Sequence, residues 1–299
     1  MEQNFDVIII GGSYAGLSAG MALGRSLRKV LIIDGGKPCN RQTPYSHNFI
    51  THDGRTPKEI SDLAKAQVLE YKTVKFHDGV VNKIEKDAEN FTITTESKEV
   101  FYAKKLILAS GVKDLMPDIP GFAECWGISV IHCPYCHGYE VKGEMTGILS
   151  NGDIAFDFSK LVFNLTKELA LLTNGKSTLN EEQTEKFKQN KINIIEEKIE
   201  KIQHEDGYIQ KVIFKNGKEI PLKALYAKTA FEQNVNIQEL GIELNENGFI
   251  KVDMMQKTNI PGIFACGDNV TMMRSVANAV AQGNLAGVVV NKELSEEEF

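Results

Sequence analysis

The sequence predicts an α/β protein of two three-layer (ββα) domains, the second inserted in the first. Three observations predict it. An apolar run at Val7 to Ile10 ends in a glycine turn, followed by a glycine-spaced helix and a second apolar strand closed by Asp34. The same order of strand, turn and helix returns in TGIL, SNGD and the apolar stripe after them, within 146–165. Two further short apolar strands, LILASG at 106–111 and the one in TNIPGIFACGDN at 258–269, flank that second unit and complete the first.

Val7 to Ile10 is β-branched, too short for a helix and bounded by Gly11 and Gly12, which makes it a buried parallel strand. From Ala15 to Leu27, Gly16, Gly20 and Gly24 recur every four residues, so they share one helical face and allow close packing on a sheet. Lys29 to Ile33 is the next strand. This is the Rossmann-like, dinucleotide-binding arrangement. Backbone N–H groups of the turn Gly11, Gly12, Ser13, Tyr14, Ala15, Gly16 and the helix N-terminus hold a pyrophosphate, and Asp34 bonds ribose hydroxyls. Ser13 stands where the pattern has its second glycine; the competing reading is a purely structural turn.

Residues 56–72 carry Ile60, Leu63, Ala64 and Val68 on one helical stripe, and 74–108 alternate as strands. The first domain is therefore split, 1–115 and 241–299, around an insert at 116–240. The insert opens after DIPGF; Ile154, Phe158, Leu161, Val162 and Leu165 form its first helical face, ELALLT its second strand, and KNGK at 215–218 a tight hairpin turn.

With 299 residues, a net charge of −6 and a pI near 5.6, the chain has room for two cores and no Lys/Arg block. Nucleic acid and membrane surfaces are not expected as partners. No basic, apolar leader and no run of about 18 apolar residues is visible, so the expected location is cytoplasmic. Five cysteines are too few and too irregular for a disulfide scaffold. Cys39, Cys125 and Cys266 read as buried or incidental thiols.

The segments GGSYAG, LILASG and TNIPGIFACGD, with HCPYC between the last two, resemble the low-molecular-weight thioredoxin reductase branch of the pyridine nucleotide-disulfide oxidoreductases over essentially the whole chain. The resemblance implies an FAD site built from Gly11, Gly12, Ser13, Ala15, Gly16, Asp34, Gly111 and Gly267, with Asp268 facing the ribityl and pyrophosphate. MMRSVANAVAQGNLAG at 272–287 resembles the helix beneath the isoalloxazine. There Arg274 keeps the family's arginine, Ser275 replaces its glutamine, and Val276 follows. Asn48 stands at a flavin-adjacent asparagine; the plain alternative is an asparagine in a turn.

In the family the insert binds NADPH, and here the sequence departs three times. SNGDIA has Ser150 at the first glycine position and keeps only Gly152 and Ala155; TNGKS offers Lys176 as its only cation; ALYAKTAFEQN lacks the small-residue turn on the nicotinamide side. Losing charge-assisted bonds of about 1.5–3 kcal/mol each weakens a 2′-phosphate site by orders of magnitude. The electron donor is left open.

The stretch HCPYCHGYE at 132–140 allows four readings. Zinc needs a second pair of ligands, and no metal is expected. The string CPYCH fits a c-type haem attachment, which requires export, and a glutaredoxin-like module places CPYC after its first strand. The fourth reading is a redox-active disulfide exchanging electrons with FAD. By the resemblance, Cys136 faces the flavin, Cys133 meets the external substrate, and His137 takes the place of the family's acid, usually aspartate. A histidine there ties exchange to pH near neutrality. His132 is either structural or part of the site.

The expected function is an FAD-dependent thiol-disulfide oxidoreductase acting on a thioredoxin-like protein or a small disulfide or dithiol, in a homodimer as the family commonly forms. The alternatives are an NADPH-independent flavoprotein, either a gliotoxin-type dithiol oxidase using oxygen or a reductase fed by ferredoxin, and a non-catalytic flavin-binding redox sensor. The acidic end, KELSEEEF, reads as solvated.

Overall fold

In a computed structural model, which describes residues 3–87, 90–235 and 237–299, the chain forms two compact units. The first takes in residues up to Arg41, Phe49–Lys113 and Phe231–Phe299; the second takes in Gln42–Asn48 and Asp114–Ala230. The segment 231–240, assigned from sequence to the insert, lies with the first unit because Val235, Ile237 and Leu240 pack in its core.

The first unit's sheet runs in the order Val74–Asp78, Val30–Asp34, Asn4–Ile10, Val100–Leu108, Phe91–Thr95, Val81–Lys86. The first four strands are parallel, and the last two pairings are antiparallel. Val100–Leu108 serves two neighbours on one side: Val100 to Ala103 pair with Phe91–Thr95, and Leu106 to Leu108 pair in parallel with Ile263–Ala265. Because strand side chains alternate, Val7 and Ile9 join the core beneath the helices, whereas Ile8 and Ile10 join the opposite core.

Register then positions the site. Ile10 pairs with Ile33 and Leu108, and Leu108 with Ala265, so the turns after these strands leave the sheet's carboxyl edge at one level.

Helices Tyr14–Arg25, Pro57–Leu69 and Val276–Glu298 cover one face. Tyr14–Arg25 stops short of Leu27, which turns left-handed at φ 59°. Pro57–Leu69 starts with a reciprocal Thr56/Glu59 capping box and Pro57 at its first position. Val276–Glu298 runs to the chain's end, and its acidic end is not simply solvated. Glu298 meets Arg28 at 2.6 Å and Lys104 at 2.9 Å, Lys257 meets Glu293 at 2.6 Å, and the buried Lys105 meets both Glu293 and Glu297.

The second unit repeats the plan. Its parallel sheet is ordered Asn193–Ile195, Leu169–Leu172, Thr146–Leu149, Ala224–Ala227, Val130–Ile131. The strands Ile199–Glu205, Tyr208–Phe214 and Glu219–Pro221 cover one face, and helices Gly152–Phe163 and Glu181–Gln189 the other. Gly152–Phe163 buries Ala155, Phe158, Ser159 and Val162, while Ile154 and Leu161 point outward. The buried stripe keeps Phe158 and Val162 of the apolar one and takes the small Ala155 and Ser159 in place of Ile154 and Leu161. Among the described residues no helix is long and apolar enough to cross a membrane.

Candidate active site

Gly11 follows the first strand with φ 106°, and a Cβ there would collide with the Ala109 carbonyl. The loop is clamped between two turns and its own helix. Gly12 N–H donates to Asp34 Oδ1 at 2.8 Å and Gly36 N–H to Asp34 Oδ2 at 3.1 Å, so Asp34 also fixes the loop that it borders. Ser13 is the extended N-cap of Tyr14–Arg25, yet its side chain makes no capping bond and the first turn has no acid. A helix start of this kind favours an anion at its N–H groups.

The other predicted cofactor residues belong to the first unit, except Asn48. Gly111 has φ 63° and open space where a Cβ would stand. Gly267 N–H donates to Gln282 Oε1 at 2.8 Å, and a Cβ on Gly267 would lie 3.0 Å from that of Ala15. Asp268 Oδ2 lies 3.4 Å from Arg274 Nε and 3.5 Å from Cys39 Sγ. Ser275 accepts from Asn278 N–H at 3.2 Å and starts the helix whose first residue is Val276. Asn48, left-handed at φ 59°, belongs to the second unit. The unusual segment FEQN is used in the first: Gln233 Nε2 donates to the carbonyls of Gly248 and Asn269, and Asn234 Nδ2 to that of Ser110.

The corresponding turn of the second unit is filled by the chain itself. Asn151 Oδ1 accepts from Gly152 N–H and Thr178 N–H, both at 2.9 Å, and from Thr178 Oγ1 at 3.2 Å. Its Nδ2 donates to the Lys176 carbonyl at 2.9 Å. After the second strand, where a 2′-phosphate needs cations, Ser177 N–H donates to the Glu196 carboxylate at 2.7 Å. The first helix start thus has no side-chain cap, whereas at the second the N–H groups of Gly152, Thr178 and Ser177 are taken by Asn151 and Glu196.

Also in the second unit, Cys133 caps the one-turn helix Pro134–His137, with Pro134 pre-set at its first position. Both cysteines are reduced and half-buried, and Cys136 Sγ donates to Cys133 Sγ at 2.7 Å. That bond, with help from the backbone N–H groups of Cys136 and Tyr135, lowers the Cys133 thiol to about 7 against the effect of burial. A lowered thiol of this kind favours the nucleophilic thiolate.

Burial pushes His137 below its ordinary value; Glu140 opposes this and His47 adds to it. That shift favours the neutral imidazole of His137. The His47 and His137 rings stand edge to face at 6.3 Å, and His47 Nε2 lies 3.5 Å from Glu140 Oε1. His132 packs edge to face on Trp126 at 6.4 Å. Sequence reasoning missed His47 and Glu140. Glu140 sits inside the quoted stretch, but nothing in the spacing points to His47. Burial raises Cys125 to about 11 and Cys266 to about 12, which makes both unreactive. Among the described residues no His, Cys, Asp and Glu group could hold a metal.

The family model for pyridine nucleotide-disulphide oxidoreductases matches residues 5–283. Thioredoxin reductase tcpT of Claviceps purpurea is 33% identical, the match covering 97% of this chain and 94% of the relative. A structure of TrxB from Bacillus anthracis, described as a candidate thioredoxin reductase, superimposes with a TM-score of 0.94 at 32% identity, covering 99% of this chain and 100% of the other. An oxidoreductase from Agrobacterium tumefaciens gives 0.91 at 34% identity, over 98% and 99%.

Proposed function

Because the chain belongs to the pyridine nucleotide-disulphide oxidoreductase family, as a thioredoxin reductase-like flavoprotein, we propose that it exchanges electrons between FAD and an external disulfide or dithiol through Cys133 and Cys136, without NADPH in its insert. The contrast between two helix starts carries this reading. Ser13 leaves its helix open to a pyrophosphate, whereas Asn151 and Glu196 occupy the place where the insert would take a nucleotide. A thioredoxin-like protein or a small disulfide or dithiol is the substrate class.

Bound FAD would supply the two-electron store; the loop from Gly11 to Gly16 would hold its pyrophosphate, Asp34 a ribose, and Asp268 with Arg274 the region beside them. Ionised Cys133 attacks one sulfur of the external disulfide, forming a mixed disulfide and releasing the first thiolate. Cys136, losing its proton, then attacks the Cys133 sulfur; the second thiolate leaves and a Cys133–Cys136 disulfide remains. Two electrons have passed to the substrate. With a dithiol substrate the same steps run in reverse, and His137 accepts the proton of the entering thiol.

The test is anaerobic. Mixed with a dithiol such as dithiothreitol, the yellow protein bleaches, and the Cys133→Ser variant does not; excess NADPH leaves the wild-type flavin oxidised. Fast bleaching by NADPH refutes nucleotide independence, and dithiol bleaching that survives Cys133→Ser refutes the role of the pair.

A further inference from the structure

Tyr226 is an unused polar group at the base of the cysteine turn. It lies in the strand Ala224–Ala227 and pairs in register with Ile131, two residues before Cys133. Its side chain is 1% exposed, packed edge to face against Phe158 at 5.6 Å, and its hydroxyl has no hydrogen-bond partner. The hydroxyl is aimed at the turn: a Cβ added to Gly138 would stand 2.8 Å from the Tyr226 oxygen. Gly138 itself closes that turn by donating to the Pro134 carbonyl at 2.9 Å.

A phenol buried without a partner costs stability that phenylalanine in the same place would not. A hydroxyl in such a position serves a state in which an acceptor appears beside it. Burial and the nearby charges of Cys133 and Glu140 raise the Tyr226 pKa, so the phenol keeps its proton and acts as a donor only.

Resting on the proposed exchange reaction, we propose that Tyr226 is a positioning residue whose O–H turns to the Cys133 sulfur as it ionises and holds the thiolate ready for exchange. The proton stays on the phenol oxygen throughout. No electron or group is transferred to Tyr226. A hydrogen bond to the charged form favours that form, and it counts for more in a buried setting than in water. The other titratable groups in and around the turn include the Cys136 thiol, Tyr135, His137, Tyr139, Glu140 and His47, with Lys228 over the Phe158 ring at 5.2 Å. None of them is altered by the test.

The test is Tyr226→Phe in the full-length flavoprotein, reduced and anaerobic, with Cys133 alkylation by iodoacetamide followed against pH by peptide mass. The inflection is expected to move up by about half a pH unit or more, lowering the thiolate fraction at pH 7 by about two- to threefold. Dithiol bleaching of the flavin falls by a similar factor at pH 7 and recovers at pH 9. Phe158→Leu disturbs the same ring without removing the hydroxyl and is expected to leave the inflection where it was.

An unchanged inflection in Tyr226→Phe overturns the proposal, as does an equal shift in Phe158→Leu. The alkylation reads thiolate formation without turnover. If wild-type flavin fails to bleach with dithiol, the functional reading falls, while the inflection still decides the role of Tyr226.

Discussion

Replacing Cys136 by alanine removes the sulfur that donates to Cys133 at 2.7 Å, the largest cause of the lowered Cys133 pKa. The wild-type value of about 7 leaves half of the thiol ionised at pH 7, whereas the ordinary value of 9.0 would leave about one part in a hundred. A thiolate of higher basicity is also more nucleophilic: with a Brønsted slope of about 0.4–0.5, two pH units return about six- to tenfold. Full reversion therefore makes alkylation about five- to eightfold slower at pH 7 and about five- to eightfold faster at pH 9.5, so the two pH profiles cross. The backbone N–H groups of Tyr135 and Cys136 survive the substitution, so the crossing is kept but its amplitude is somewhat reduced. The assay is the rate of Cys133 carbamidomethylation in reduced protein from pH 5.5 to 10. A wild-type inflection near 9, or profiles that superimpose, would refute the assignment of the low value to the sulfur pair. The sign for stability follows from the same shift. A depressed acid contributes stability fully above pH 9, and the reduced protein loses it as pH falls through about 7.

Gly283→Val places a side chain on the backbone of Ala15, where the C-terminal helix crosses the loop-bearing helix. Overpacking of this kind costs about 1–3 kcal/mol, and the expected result is a lower Tm and purified protein that has lost its yellow colour; wild-type colour and Tm would refute the close crossing. Asn151→Ala removes a helix cap worth about 0.5–2 kcal/mol, read by urea unfolding. Combined with Glu196→Lys it is expected to give NADPH binding by fluorescence titration where the wild type gives none, and wild-type binding of equal strength would refute the closure of that turn.

Much of the first cradle was legible because its parts are neighbours in sequence: strand, Gly11 to Gly16, helix, strand and Asp34 follow within 34 residues. The Cys133–Cys136 pair was legible for the same reason. The hydrogen bonds around the insert's turn were not legible: they join Asn151 to Thr178, 27 residues apart, and neither residue type announces the other. In Gly152–Phe163 the buried Phe158 and Val162 were legible, whereas Ile154 and Leu161 were read as buried in place of Ala155 and Ser159 because apolarity was followed where small size decides contact. Tyr226 lies 93 residues from Cys133 and meets its turn only through parallel strand pairing, which no local pattern encodes. The acidic end was misread for the same reason: its partners Arg28, Lys104, Lys105 and Lys257 come from distant strands and loops.

That acidic end changes how the chain terminus behaves in time. Terminal turns ordinarily fray, with opening free energies near zero. Unwinding the last turns here would take Glu293 and Glu297 away from Lys105, an ammonium 7% exposed, and draw Leu294 out of the core. An isolated buried charge is among the costlier states a protein can visit. The amides around residues 290 to 294 are therefore expected to exchange with the opening of the first unit as a whole; fast exchange there beside slow exchange in Val7 to Ile10 would refute the coupling.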